Sequence, residues 1–103
     1  MMDMGTLMKQ AQQFQERLNQ MQDELGAKTV TGSAGGGMVT VTVNGRGELL
    51  SLSLERGVVN PDDVQLLQDL ILSAVNDGLL KAKKLGQGEL GKLTGGMHIP
   101  GLF

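Results

Sequence analysis

Residues 31–55, TGSAGGGMVTVTVNGRGELLSLSLE, decide the fold, because they read as sheet while the sequence on either side reads as helix. From Met38 the side chains alternate, with Val39, Val41 and Val43 on one face and Met38, Thr40 and Thr42 on the other. That is the period of a half-buried strand. Leu50, Leu52 and Leu54 repeat the pattern against Leu49, Ser51 and Ser53. Between the two runs lies Asn44-Gly45-Arg46-Gly47. Asn-Gly best accepts the paired positive φ angles of a type I′ hairpin turn. A two-residue loop sets Val39 opposite Leu50, and a four-residue loop sets Val41 opposite Leu50 and Val39 opposite Leu52. Either keeps valines and leucines on one face. A three-residue loop sets valines against serines and turns an apolar face to water. The four-residue loop matches more pairs and is preferred.

Working outward, Lys28 to Gly32 is β-branched and adds an edge strand, giving an antiparallel three-stranded sheet over 28–55. Gly32 and Gly37 have the spacing of the outer glycines in a GxxxxGK[ST] phosphate loop. Met38-Val39 then stands where Lys and Ser or Thr belong, and the glycines lead into a strand where a phosphate cradle opens a helix. They read as a tight connection. Toward the N-terminus, residues 1–26 form a long helix with apolar residues at Met4, Leu7, Ala11, Phe14, Leu18, Met21 and Leu25, an unbroken heptad seam ending at Gly26. Such a seam packs on its own domain or on another chain, and the narrow stripe is compatible with both.

Toward the C-terminus, Asn60-Pro61-Asp62-Asp63 marks a helix start, with Asn as cap, Pro in the first turn and two acids at the positive end of the dipole. The helix is expected over 60–86. Its stripe is Val64, Leu67, Ile71, Ala74, Val75, Leu79, Ala82 and Leu85, and Leu66, Leu70, Leu72 and Leu80 lie partly outside it. One small sheet cannot cover so many leucines, and leaving several wet forfeits several kcal/mol, comparable with a small domain's whole stability. A second copy is the simplest cover. The expected dimer interface is Leu66, Leu70, Leu72 and Leu80 with Val39 and Val41 of the sheet. Gly78, inside the helix, marks a close crossing. Residues 87–103, rich in glycine, are expected to form a mobile tail.

The 103 residues make one domain. There is no cysteine, so disulfides and thiolate metal sites are excluded and a reducing interior is expected. No leader or membrane span is visible, which points to a soluble cytoplasmic protein without a membrane partner. His98 is the sole histidine and has no ligand-spaced partner, so neither a metal site nor another cofactor is expected. No nucleophile, acid and base group can be assembled, so no catalytic residue, enzyme activity or small-molecule substrate is expected. The net charge of −2 hides an asymmetry. Glu48, Glu55, Asp62, Asp63, Asp69 and Asp77 face Arg56 alone, whereas beyond Gly78 the lysines Lys81, Lys83, Lys84 and Lys92 face only Glu89. With no Trp or Tyr, base stacking is not a main binding mode, and any nucleic-acid contact is to phosphate.

Taken together, LMKQAQQFQERLNQMQDEL from Leu7, VTGSAGGGMVTVTVNG from Val30, LLQDLILSAVNDGLLKA from Leu66 and the terminal GGMHIPGLF resemble the YbaB/EbfC family of small bacterial nucleoid-associated proteins. The resemblance covers nearly the whole chain. It implies an α+β homodimer shaped like tweezers, with projecting helical ends. It also implies double-stranded DNA as partner, a nucleoid location, and a role in nucleoid organisation, gene regulation or recombination and repair. On this resemblance the projecting helices offer Lys9, Arg17, Lys81, Lys83, Lys84 and Lys92 to DNA. The alternative class is a protein-interaction scaffold that receives a partner helix on the heptad seam.

Overall fold

Asp3 caps the first helix by accepting a 2.7 Å hydrogen bond from the backbone N–H of Thr6, which satisfies one orphan donor of the first turn. A computed structural model describes residues 3–93. It contains α1 (Met4–Ala27), β1 (Thr29–Ala34), β2 (Val39–Asn44), β3 (Leu49–Leu54) and α2 (Val64–Leu93), with single 3₁₀ turns at Gly35–Gly37 and Arg56–Val58. The strands form one antiparallel sheet in the order β1-β2-β3. The expected α+β architecture, two long helices flanking a three-stranded sheet, is therefore present.

The hairpin between β2 and β3 differs from the expected one in turn and register. Asn44 donates its N–H to Glu48 O at 3.0 Å, so three residues form the loop, and Gly47 carries the positive φ of 84°. Asn44 and Gly45 have no positive φ, so the type I′ turn is not formed. Such a loop alone would set valines against serines. A β-bulge between Thr42 and Val43 shifts the ladder by one residue and restores the match, with Val39 opposite Leu54 and Val41 opposite Leu52. The extra residue, Leu50, has no partner in that register.

The expected cap of α2 also moves. The Asn60 side chain accepts from Asp62 N at 3.0 Å, and Asp63 N donates to Asn60 O at 3.0 Å. This local turn competes with helix, so Asp63 becomes the cap, its carboxylate 3.3 Å from Leu66 N. At the other end α2 does not stop at 86. Gly86, Gly88 and Gly91 lie inside it, and the helix reaches Leu93. Glycine costs about 1 kcal/mol each in a helix interior, and here contact with α1 overrides that propensity. The rest of the expected tail, residues 94–103 with His98, lies outside the described residues.

The core is the valine face of β2. Val39, Val41 and Val43 are 0%, 1% and 0% exposed, under Ala74 and Ala82 of α2 and beside Val58. The approach is close because two glycines meet at the crossing. A Cβ on Gly32 would strike the backbone of Ala74 and Gly78, and one on Gly78 would lie 2.8 Å from Val43 and 2.9 Å from Val41. Gly78 is thus the close crossing that its position suggested. α2 lies over β1 and β2, and β3 stands beyond it. The molecule is long, 71 × 23 × 16 Å, with a radius of gyration of 19.3 Å. A compact chain of this length has about 13 Å.

Candidate nucleic-acid interface

The direction in which α1 projects is fixed at its C-terminal end. Gly45 N–H is shared between Leu25 O at 2.8 Å and Lys28 O at 2.9 Å, so the hairpin tip caps the last turn of the helix. Asn44 is 3% exposed and fully bonded: its Oδ1 accepts from Arg46 N and Glu48 N at 3.0 Å each, and its Nδ2 donates to Glu48 Oε1 at 2.8 Å. That amide holds the Glu48 carboxyl below the usual range, with help from the Arg46 guanidinium. The sequence offered Asn44 only as a turn residue. Its one signal was Glu48, four positions on, which pairs with it once the loop closes.

α2 returns antiparallel along α1. Met21 and Leu25 line one cleft with Gly86 and Leu90. Arg17 and Met21 line a second with Glu89, Lys92 and Leu93. Lys28 bridges to Glu89 at 2.7 Å, which holds the Glu89 carboxyl below its ordinary range and the Lys28 ammonium above its own. The two helices therefore form one arm, projecting past the sheet.

The basic residues fall into separate groups. Lys81 is engaged, since its ammonium lies 3.1 Å from Asp77 and donates to Thr31 O at 3.0 Å. Asp77 in turn accepts from Ser33 N at 3.0 Å, and this bond, then Lys81, holds its carboxyl below the usual range. Asp77 and Lys81 thus pin α2 to the edge strand β1. Lys92 pairs with Glu89 at 3.5 Å. Among the described residues Lys9, Arg17, Lys83 and Lys84 make no salt bridge, and all are exposed. Arg17 and Lys92 share a cleft that also holds Glu24 and Glu89, while Lys83 and Lys84 lie about 12 Å back along α2 at 1.5 Å per residue. The arm carries its cations as a spaced series, and the arrangement suits phosphates along a backbone better than one compact anion.

The interface residues expected from sequence divide as well. Val39 and Val41 belong to the chain's own core, because α2 covers them. Leu70 is half-buried against that core and packs over Gly35. Leu66, Leu72 and Leu80 stay exposed, joined by Leu49, Leu50 and Leu52 of β3, which the sequence reading left out of the interface. Among the described residues no helix is long and apolar enough to cross a membrane.

The comparisons with known proteins agree with this geometry. A nucleoid-associated protein of Syntrophobacter fumaroxidans is 54% identical over 95 residues, 92% of this chain and 86% of its own length. Another, from Desulfotalea psychrophila, is 50% identical over 101 residues, covering 98% of this chain and 95% of its own. The crystal structure of an uncharacterized protein from Helicobacter pylori superposes with a TM-score of 0.82 at 26% identity, covering 91% of this chain and 99% of that one. Residues 1–97 match the YbaB/EbfC DNA-binding family, and the chain, with its glycine-led sheet between two long helices, belongs to that family.

Proposed function

We propose that this protein binds duplex DNA as a homodimer, gripping phosphates with Lys9, Arg17, Lys83, Lys84 and Lys92 from both subunits, in the service of nucleoid organisation, gene regulation or recombination and repair. One observation carries the reading: in a DNA-binding family, this acidic chain keeps Lys9, Arg17, Lys83 and Lys84 exposed and, among the described residues, outside any salt bridge. Phosphate contacts position a protein without reading bases, so sequence preference is low and follows DNA shape. Lys81 drops out of the grip, because it holds α2 to β1.

Dimerisation is supported by excess surface. The chain exposes 7236 Å², whereas a folded monomer of 10.9 kDa exposes roughly 5600 Å². Part of the excess is the leucine face of β3, with Leu72 and Leu79 of α2 also exposed. The test is duplex binding by fluorescence anisotropy across salt concentrations. Of the ten such cations in a dimer, four to six masking a phosphate at one time give a log-log slope of roughly −4 to −5. Lys83→Gln with Lys84→Gln flattens that slope while Lys81→Gln leaves it unchanged. Absence of duplex binding at low salt, or a slope indifferent to Lys83 and Lys84, overturns the reading.

A further inference from the structure

The heptad seam of α1 changes character halfway along. Leu25 is buried and Met21 and Leu18 are half-buried, where Leu90 and Leu93 of α2 share clefts with α1. Phe14, Ala11, Leu7 and Met4 are exposed, rising from 42% at Phe14 to 75% at Met4, and Met8 widens the apolar stripe. Lys9 is the one charged residue between Met4 and Gln15. It stands two positions from Leu7 and two from Ala11, more than half a helical turn away, and so projects from the face opposite the seam. Gln10 and Gln15 flank the stripe. A face without charge offers nothing to phosphate, and it sets no like charges together when it meets its own copy.

The order of sizes along the stripe is self-complementary. In an antiparallel pair centred on Lys9, Leu7 lies on the second copy's Ala11 and Met4 on the second copy's Phe14, because the members of each pair are equally far from the centre. Leucine then fills the space over alanine in the middle, and a thioether packs on a phenyl ring at each end. A parallel pair sets alanine on alanine and leaves a void.

We propose that the open half of the α1 seam pairs, antiparallel, with the same segment of a second copy, and so links one dimer to the next. Phe14 lies about 16 Å along α1 from Leu25, where the helix meets the sheet, so the seam and the β3 face are separate surfaces that serve at the same time. Two separate self-complementary contacts join dimers in series. Under two heptads hold weakly in dilute solution, and a duplex that carries several dimers raises their effective concentration. Lys9 stays on the outer face, free for phosphate. Linkage on DNA rests on the function proposed above, whereas the pairing of seams stands without it.

The chain has no cysteine, so full chains carrying Leu7→Cys and Ala11→Cys can be mixed at high concentration and mildly oxidised. The mixed disulfide exceeds its share in a random mixture, and the native joined species has at least twice the mass of the unoxidised one. A random distribution or a preference for like with like overturns the proposal. So does a joined species no heavier than the unoxidised one, because the contact then lies within the dimer. The chain also has no Trp, and Phe14→Trp places a single indole on the seam, whose emission shifts to the blue as protein concentration rises. Blue emission at every dilution shows cover from within the chain or dimer, and red emission up to millimolar protein shows a seam that a second copy does not fill; each overturns the proposal. Both measurements run without DNA, so a failure of duplex binding does not decide them. On a long duplex, Leu7→Gln with Phe14→Gln abolishes cooperative binding and leaves affinity for a duplex that holds one dimer unchanged. Cooperativity that survives both glutamines overturns the linkage.

Discussion

β2 and β3 lie side by side with the same apolar alternation, yet Val41 is 1% exposed while Leu52, its cross-strand partner, is 45% exposed. The difference comes from α2, whose glycine crossing at Gly32 and Gly78 seats it over β1 and β2. Alternation says that a strand has an apolar face. It does not say what covers that face. For β2 the cover is the chain itself, and for β3 it is, on the reading proposed above, a second copy.

The sharpest way to break this comparison is to place the same charge on both strands. Val41→Asp buries an unpaired carboxylate under α2 and costs about 3–5 kcal/mol, enough to unfold a small domain, as chemical denaturation will report. Leu52→Asp keeps the secondary structure and removes the dimer. A Leu52→Asp chain that unfolds as completely as Val41→Asp erases the distinction.

Asn44→Ala tests the join between α1 and the hairpin. It strips the donors of Arg46 and Glu48 of their acceptor, with an expected loss of about 1–3 kcal/mol in urea unfolding, whereas Asn19→Ala on exposed α1 costs little. Gly78→Ala should cost about 1–3 kcal/mol through overpacking against Val41 and Val43. Gly88→Ala, with nothing within 4 Å of its new Cβ, should instead gain roughly 0.5–1 kcal/mol of helix stability. Equal effects at the two glycines would show that the crossing is not tight.

The smallest effect concerns pH. The Asp77 carboxyl is held below its ordinary value of 3.8 by the Ser33 N–H and Lys81, so its contribution to stability is complete above that value. It fades as pH falls through the lowered folded value. Asp77→Asn therefore flattens the acid limb of a stability-against-pH curve and leaves the slope above pH 5 nearly unchanged, at roughly a pH unit beyond the ordinary value. An acid limb identical to that of the unaltered chain contradicts this role.

Much of this was legible in the sequence because each element carried its own period: heptads in α1, alternation in β2 and β3, a 3.6-residue stripe in α2. What local patterns missed was decided by distant residues. The bulge that corrects the three-residue loop answers to the valine core, not to the turn, and the preferred register failed for that reason. Gly88 and Gly91 read as tail, since nothing nearby told that α1 would lie alongside this part of the chain. The link from Lys81 to Thr31 spans fifty positions of sequence, beyond the reach of any local pattern. Val39 and Val41 read as interface for want of knowing where α2 would land.

Sedimentation equilibrium of the full chain, beside its Leu52→Asp variant, tests the central claim most directly. The account predicts a mass about twice 10.9 kDa that falls to 10.9 kDa on replacing Leu52. A chain that stays at 10.9 kDa at every concentration, or a dimer indifferent to Leu52, contradicts it.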